Sequence, residues 1–326
     1  MLALLATVSP APATADEPRP APARFVLEWG QHGSAPGEFD VPIGVAVAAG
    51  GDVLVSDFYN ARVQRFTPDG KHQASFEVLP NPGGMALDAD GNVYLSHFPA
   101  MKSNEEKKPD RISVYSPQGK LLRQWGRTGT GDGEFDYPGG IAVTGGGRVY
   151  VADQTNRRVQ VFDREGKFLF KWGEYGVSEG QFGGNVSPKS RVGGPQFVAI
   201  DGAGNVYTTE GSVGRVQQFT GDGKFLRAWG DNDDKPGSFG GHWRGTTGLQ
   251  GPVGICFDMS GLLWISSVGG RVQQFTREGK YLHGLGSGRG SEPGQFEAPH
   301  ALAADAGQLY VVDALNHRVQ KFAIGK

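Results

Sequence analysis

Apolar residues fall along this chain in short runs, each bounded by Gly, Pro, Asn or Asp. Pro138-Gly139-Gly140-Ile141-Ala142-Val143 leads to a turn ending at Gly147, then to Val149-Tyr150-Val151-Ala152, which closes on Asp153. Arg158-Val159-Gln160-Val161-Phe162 follows, then Gly166-Lys167 and residues 168–173 (FLFKWG). Runs this short, rich in β-branched and aromatic residues and separated by turn formers, predict β-strands. Nothing along the chain carries helical spacing. The same unit recurs six times, its third strand opening on Arg62, Arg111, Arg158, Arg215, Arg271 and Arg318, at intervals of 49, 47, 57, 56 and 47 residues. Four short strands per unit of that length predict a propeller blade. The expected fold is therefore all-β: a six-bladed β-propeller of four-stranded antiparallel blades.

The sixth copy runs out after its third strand, at Phe322. Residues 25–30 (FVLEWG) have the form of fourth strands elsewhere, such as residues 121–126 (LLRQWG) and 225–230 (FLRAWG). Phe25–Trp29 is thus expected to pair beside Arg318–Phe322 and close the ring, since an open ring leaves a bare strand edge. The propeller then spans residues 25–326. Residues 16–24 read as a Pro/Ala-rich linker. Residues 1–15 read as a signal peptide lacking its basic start: Met1 to Val8 is apolar, and Ala13-Thr14-Ala15 precedes Asp16. The apolar run is too short to span a bilayer. The expected location is secreted or periplasmic.

The phrase Asn316-His317-Arg318-Val319-Gln320 and its counterparts Asn156-Arg157-Arg158-Val159-Gln160 and Asn60-Ala61-Arg62-Val63-Gln64 resemble the NHL-repeat family. The resemblance covers the whole span from residue 25 onward. It implies the six-bladed ring, but such propellers serve many roles, so it implies no single activity.

Composition narrows the function classes. Gly (53) and Pro (20) are numerous and dispersed, as many tight turns require. With 32 basic and 34 acidic residues the net charge is −2, which gives no bulk electrostatic pull toward nucleic acid or an acidic membrane. RNA-binding members of the family use a strongly basic face, and the loops here are mixed in sign. The single cysteine, Cys256, has no internal disulfide partner; within Val253–Phe257 it reads as a core thiol rather than a nucleophile. A monomer is expected.

Topology then points to one face. In an antiparallel four-stranded blade, the loops after strands two and four share a face, and the turns after strands one and three share the other. The insertions at Phe98–Asp110, Gly183–Gly194 and Gly240–Gly251 all fall on the first face, where a site is expected. Lys189 and Arg191 in one of these loops, His242, Trp243 and Arg244 in another, and Gln196 at the start of blade four are the candidate ligand contacts. They suit a protein, peptide or glycan. The second strands end on Asp57, His97, Asp153, Glu210, Ser267 and Asp313; the three Asp residues read as partners of their own loops' donors. His97 and Glu210 break that pattern. His300, in Ala298-Pro299-His300, is the one titratable residue among those that follow each leading Pro and face the channel. The amidating lyases of the same family hold a metal through several histidines, some after Pro, and only His300 fits that pattern here. His97, His300 and Glu210 are the candidate ligands for Zn²⁺ or Ca²⁺ in a lyase or lactonase at the channel mouth. No nucleophile elbow, His-Glu-x-x-His or phosphate-binding loop is present. A binding scaffold is therefore favoured over an enzyme.

Overall fold

The computed structural model describes residues 23–99, 110–188, 190, 193–240, 251–286 and 288–325. Six four-stranded antiparallel sheets follow one another around a ring. Blade three shows the plan, with strands Pro138–Val143, Val149–Asp153, Arg158–Phe162 and Phe168–Trp172 running from the ring axis outward. The second and third strands of this blade are buried along their whole length, while the outer strand alternates between half-buried and exposed residues. That gradient is why the inner strands read as continuous apolar runs and the outer ones as alternating ones.

Blade six takes its three inner strands, Pro299–Asp305, Gln308–Asp313 and Arg318–Ala323, from the end of the chain. Its outer strand is Arg24–Trp29, paired so that Phe25 faces Phe322 and Trp29 faces Val319. The expected closure is present. Phe25 and Phe322 meet edge to face at 5.8 Å, and Glu28 reaches Arg318 at 2.9 Å.

One contact recurs at every junction between neighbouring blades except that of blades five and six, where no turn joins third and fourth strands. The turn between the third and fourth strands carries a glycine in the left-handed region, and the outer-strand aromatic of the preceding blade lies flat against it. Gly70 (φ 80°) rests on Trp29, and a Cβ there would come within 2.9 Å of the indole. Gly166 rests in the same way on Trp125, Gly223 on Trp172 and Gly279 on Trp229. The Gly70–Trp29 pair thus fastens blade one to the strand that completes blade six. Around the axis, second-strand hydroxyls bridge to the next blade: Ser56 Oγ donates to the Gly83 carbonyl (2.9 Å) and Ser266 Oγ to that of His300 (2.5 Å).

Among the described residues the turns after first and third strands are uniformly tight, as at Asp88–Asn92 and Thr67–Lys71, each closed by two main-chain hydrogen bonds. The described helical structure is one short 3-10 turn, Ala314–Asn316, and no described helix is long and apolar enough to cross a membrane.

Candidate functional site

The long-loop face opens at the ring axis into a cavity of about 370 Å³. Three kinds of segment build it. Val41, Tyr137, Gln196 and Ala298 precede first strands; Ile43, Val253 and His300 begin them; and Phe58, Phe98, Gln154, Val268 and Leu315 follow second strands. One wall is aromatic. Phe58 meets Tyr59 at 4.8 Å and Phe98 at 5.9 Å, and Phe98 meets Tyr137 at 4.6 Å. The rest of the lining includes the polar side chains of Gln154, Gln196 and His300. None of the described lining residues is Asp, Glu, Lys or Arg.

Backbone geometry aims these side chains. Val41 and Tyr137, each just before a proline, sit at φ 58° and 65°. Left-handed geometry is unfavourable for a β-branched or bulky residue and persists only where its surroundings enforce it. Here the residue after the second strand holds each one: Phe58 N–H donates to the Val41 carbonyl and Gln154 N–H to that of Tyr137, both at 3.3 Å. Gly83 and Gly139 do not line the cavity. A Cβ on Gly83 would collide with Phe98, and one on Gly139 with the Gln196 carbonyl, so these glycines let neighbouring inner strands and Phe98 close in.

The ends of the second strands form a buried polar layer behind the rim. Asp153 accepts from the Asp136 N–H (2.9 Å), Arg158 Nε (2.7 Å) and Gln160 Nε2 (3.0 Å), and from Asn156. Arg158 then donates to the carbonyls of Thr130, Gly131 and Glu134, tying down the loop that enters the blade. Asp57–Arg62 and Asp313–Arg318 repeat the pair at 2.8 and 3.0 Å. Burial pushes the Asp153 carboxyl up to about 6, against the opposing pull of Arg158 and its other donors. Glu210 fills the same place in blade four, accepting from Arg215 Nε at 2.7 Å and from the Gly183 N–H at 2.5 Å.

His97 takes that place in blade two, with Ser113 where other blades have Gln. Its Nδ1 lies 3.1 Å from the Pro80 carbonyl and its Nε2 2.5 Å from Ser113 Oγ. A carbonyl only accepts, so Nδ1 carries the proton and Nε2 accepts from the serine hydroxyl. Both ring nitrogens are engaged, and no lone pair is left for a metal. Burial lowers the His97 pKa to about 4. The unfolded chain protonates near 6.5, before the folded protein does. Neutral His97 therefore contributes stability that is whole above pH 6.5 and is lost as the pH falls toward 4. The stability gap between the wild type and His97→Asn, measured in urea, should shrink by about 3 kcal/mol between pH 7 and pH 4. A gap that stays constant with pH would contradict this.

The structure does not bring His97, Glu210 and His300 together. Among the described residues one group of three potential ligands converges, and it is His32, Asp40 and His317. His97 and Glu210 belong to the inter-loop layer, while His300 stands on the cavity wall with its Nδ1 unpartnered. Packing around that ring lowers its pKa to about 4, so it is neutral at physiological pH. Gln196 reaches the same cavity. Lys189, Arg191, His242, Trp243 and Arg244 lie outside the described residues. Cys256 packs beside the Trp264 and Leu302 cluster, where burial raises its thiol pKa and keeps it protonated. Sequence reasoning passed over the aromatic wall. Its signal was an aromatic residue directly after the last polar residue of a second strand, in Asp57-Phe58-Tyr59 and His97-Phe98.

The NHL repeat model matches residues 39–66, 135–162 and 296–322. These segments span blades one, three and six, where an Asp, Asn, Arg and Gln of the buried layer are all present. The chain is an NHL-repeat propeller. This NHL propeller is similar over 129 residues to Protein brain tumor of Drosophila melanogaster (26% identity) and to B-box type zinc finger protein ncl-1 of Caenorhabditis elegans (30%). Each match covers 40% of this chain but only 12% and 15% of those relatives. In fold it is similar to a structural genomics protein from Bacteroides thetaiotaomicron (TM-score 0.69, 17% identity, covering 93% of this chain and 76% of that one). It is also similar to virginiamycin B lyase from Staphylococcus aureus (0.57, 14%, covering 91% and 98%) and to a gluconolactonase from Xanthomonas campestris (0.56, 17%, covering 93% and 95%).

Proposed function

We propose that this NHL propeller is an exported binding module. In this reading the cavity at its channel mouth takes an aromatic or large apolar anchor from a protein or peptide partner. The observation that supports it most is the chemistry of the mouth: an aromatic cluster at the ring axis, accompanied by two amides and a neutral imidazole, with no described charged lining residue. Pockets of about 300–1,000 Å³ that are mostly apolar and carry a few convergent polar groups are the usual form of a recognition site. The rigid ring holds this one open, so little ordering accompanies binding. The apolar start of the chain supports export.

Peptides selected from a random library on the immobilised full chain should share an aromatic or large apolar residue. Ile43→Trp, which fills the cavity, should weaken them at least about tenfold, roughly 1.4 kcal/mol, at an unchanged unfolding midpoint. Asp90→Ala, in a tight turn on the far face, should leave affinity intact. Selected peptides that ignore Ile43→Trp, or that give way to glycans on an array, would overturn the peptide reading.

A second reading, a metal-dependent lyase or lactonase at the same mouth, has one observation in its favour. His300 lines the cavity and carries a buried ring nitrogen, Nδ1, without a hydrogen-bond partner, which a change of rotamer would bring to the cavity. Because His97 and Glu210 are engaged elsewhere, further ligands would have to come from residues outside the described set. Stoichiometric metal in the purified chain that is lost on His300→Gln would favour this reading over the first.

A further inference from the structure

The one convergent set of metal-ligating side chains among the described residues lies outside the lining of the channel mouth but next to it, at the seam where the ring closes. His32 follows the closing strand, Asp40 leads into blade one, and His317 sits between the second and third strands of blade six. A ligand atom from each lies within 4.8 Å of the other two. His32 Nε2 is 3.7 Å from Asp40 Oδ1, and the two imidazoles meet at 4.5 Å between centroids.

The same three places recur around the ring and are filled differently. The short parallel pairings His32–Phe39, Thr128–Phe135, Tyr175–Phe182 and Arg289–Phe296 identify the positions equivalent to His32. The residue after each Phe is then Asp40, Asp136, Gly183 and Glu297. The counterparts of His317, between Asn and Arg, are Ala61 and Arg157. At the start of blade six the pair is an ion pair, Arg289 with Glu297. Of these sites only the seam carries an imidazole at the His32 position and a second one at the His317 position. A simple ion pair needs neither imidazole. Two neutral imidazoles and a carboxylate are the donor set of a borderline divalent ion.

We propose that His32, Asp40 and His317 bind one transition-metal ion, Zn²⁺ or a neighbour such as Ni²⁺, and so fasten the ring where its two ends meet. Metal–ligand bonds of 2.0–2.1 Å place tetrahedral ligand atoms about 3.3 Å apart. The exposed His32 side chain has the freedom to close that gap. His317 is preset by its left-handed backbone (φ 53°). Its Nδ1 accepts the Val41 N–H at a long 3.2 Å. Ligation through Nε2 moves the ring proton to Nδ1 and releases that one donor, a local loss that keeps the affinity moderate. Water completes the shell on the exposed side. The ion would link segments that lie almost the whole chain apart, where a cross-link constrains the unfolded state most.

The test uses the full chain, tag-free and stripped with EDTA, titrated with ZnCl₂ by calorimetry and followed by thermal unfolding. One Zn²⁺ per chain should bind saturably, and an excess of a hundred times Kd should raise the unfolding midpoint by about 4 °C. His32→Ala should weaken binding at least about tenfold. So should His317→Asn, which keeps a residue tolerant of the left-handed backbone. Both should retain the zinc-free midpoint to within about 2 °C. His283→Ala, in a half-buried histidine remote from the seam, should change nothing. Absence of saturable uptake would overturn the proposal. So would uptake undiminished in both seam variants, or uptake lost only on His300→Gln, which would place the ion at the channel mouth instead.

Discussion

Deleting residues 1–30 should lower the unfolding midpoint by roughly 10 °C or more, the largest effect expected of any change discussed. The strand Arg24–Trp29 is the fourth strand of blade six, and its loss leaves Arg318–Ala323 as an unpaired edge. Three half-buried apolar side chains go with it. Phe25 packs on Phe322, Leu27 pairs across the ladder with Lys321, and Trp29 packs on Phe66 (5.7 Å) and Tyr310 (6.1 Å). Trp29 matters doubly, because it is also the surface on which Gly70 of blade one rests. At about 1.5–3 kcal/mol for each fully buried apolar side chain, discounted for partial exposure, the lost packing is on the order of 5 kcal/mol. In a chain of this size, 1 kcal/mol corresponds to about 2 °C. Calorimetry of the truncated chain beside the full one measures the shift directly. A midpoint within about 2 °C of the parent would mean that the strand does not close the ring.

Asp153→Ala should cost about 3–5 kcal/mol of unfolding free energy in urea. The aspartate is fully buried, and Arg158 is 5% exposed. Removing the carboxylate strands the guanidinium charge, takes one acceptor each from Gln160 and Asn156, and leaves the Asp136 N–H without its acceptor. Asp153→Asn keeps an acceptor and should lose distinctly less. Adding Arg158→Met to Asp153→Ala should recover part of the loss, because the stranded charge goes with it. If Asp153→Ala loses under about 1 kcal/mol, this layer is not what ties the loops to the blades.

These two effects follow from features of very different visibility in the sequence. The strand phrase Arg-Val-Gln-x-Phe recurs with its own turns, so blade number and strand order were legible, and the Trp-Gly ending shared by residues 25–30 exposed the closing strand. The role of Asp153 was legible too, since Asn156 and Arg158 follow within five residues. His97 was not. Its partners, the Pro80 carbonyl and Ser113 Oγ, lie 17 and 16 residues away in opposite directions, and only the folded register brings them to its two nitrogens. The same limit hid the cavity, whose wall is assembled from single residues of several blades rather than from one motif. It also hid the His32–Asp40–His317 group, which exists only because the ring closes. Arg191 and Trp243, the polar loop residues singled out from the sequence, lie outside the described residues, and the described cavity is apolar and set at the axis.

The claim that recognition occurs at the channel mouth is tested most directly by amide hydrogen exchange on the full chain with and without a saturating selected peptide. Binding there should slow exchange at Asp40, Val41 and Ile43, at Phe58–Tyr59 and at Ala314–Leu315, and leave the turns Asp88–Asn92 and Asp201–Asn205 unchanged. Protection confined to those turns, with the mouth unaffected, would contradict it.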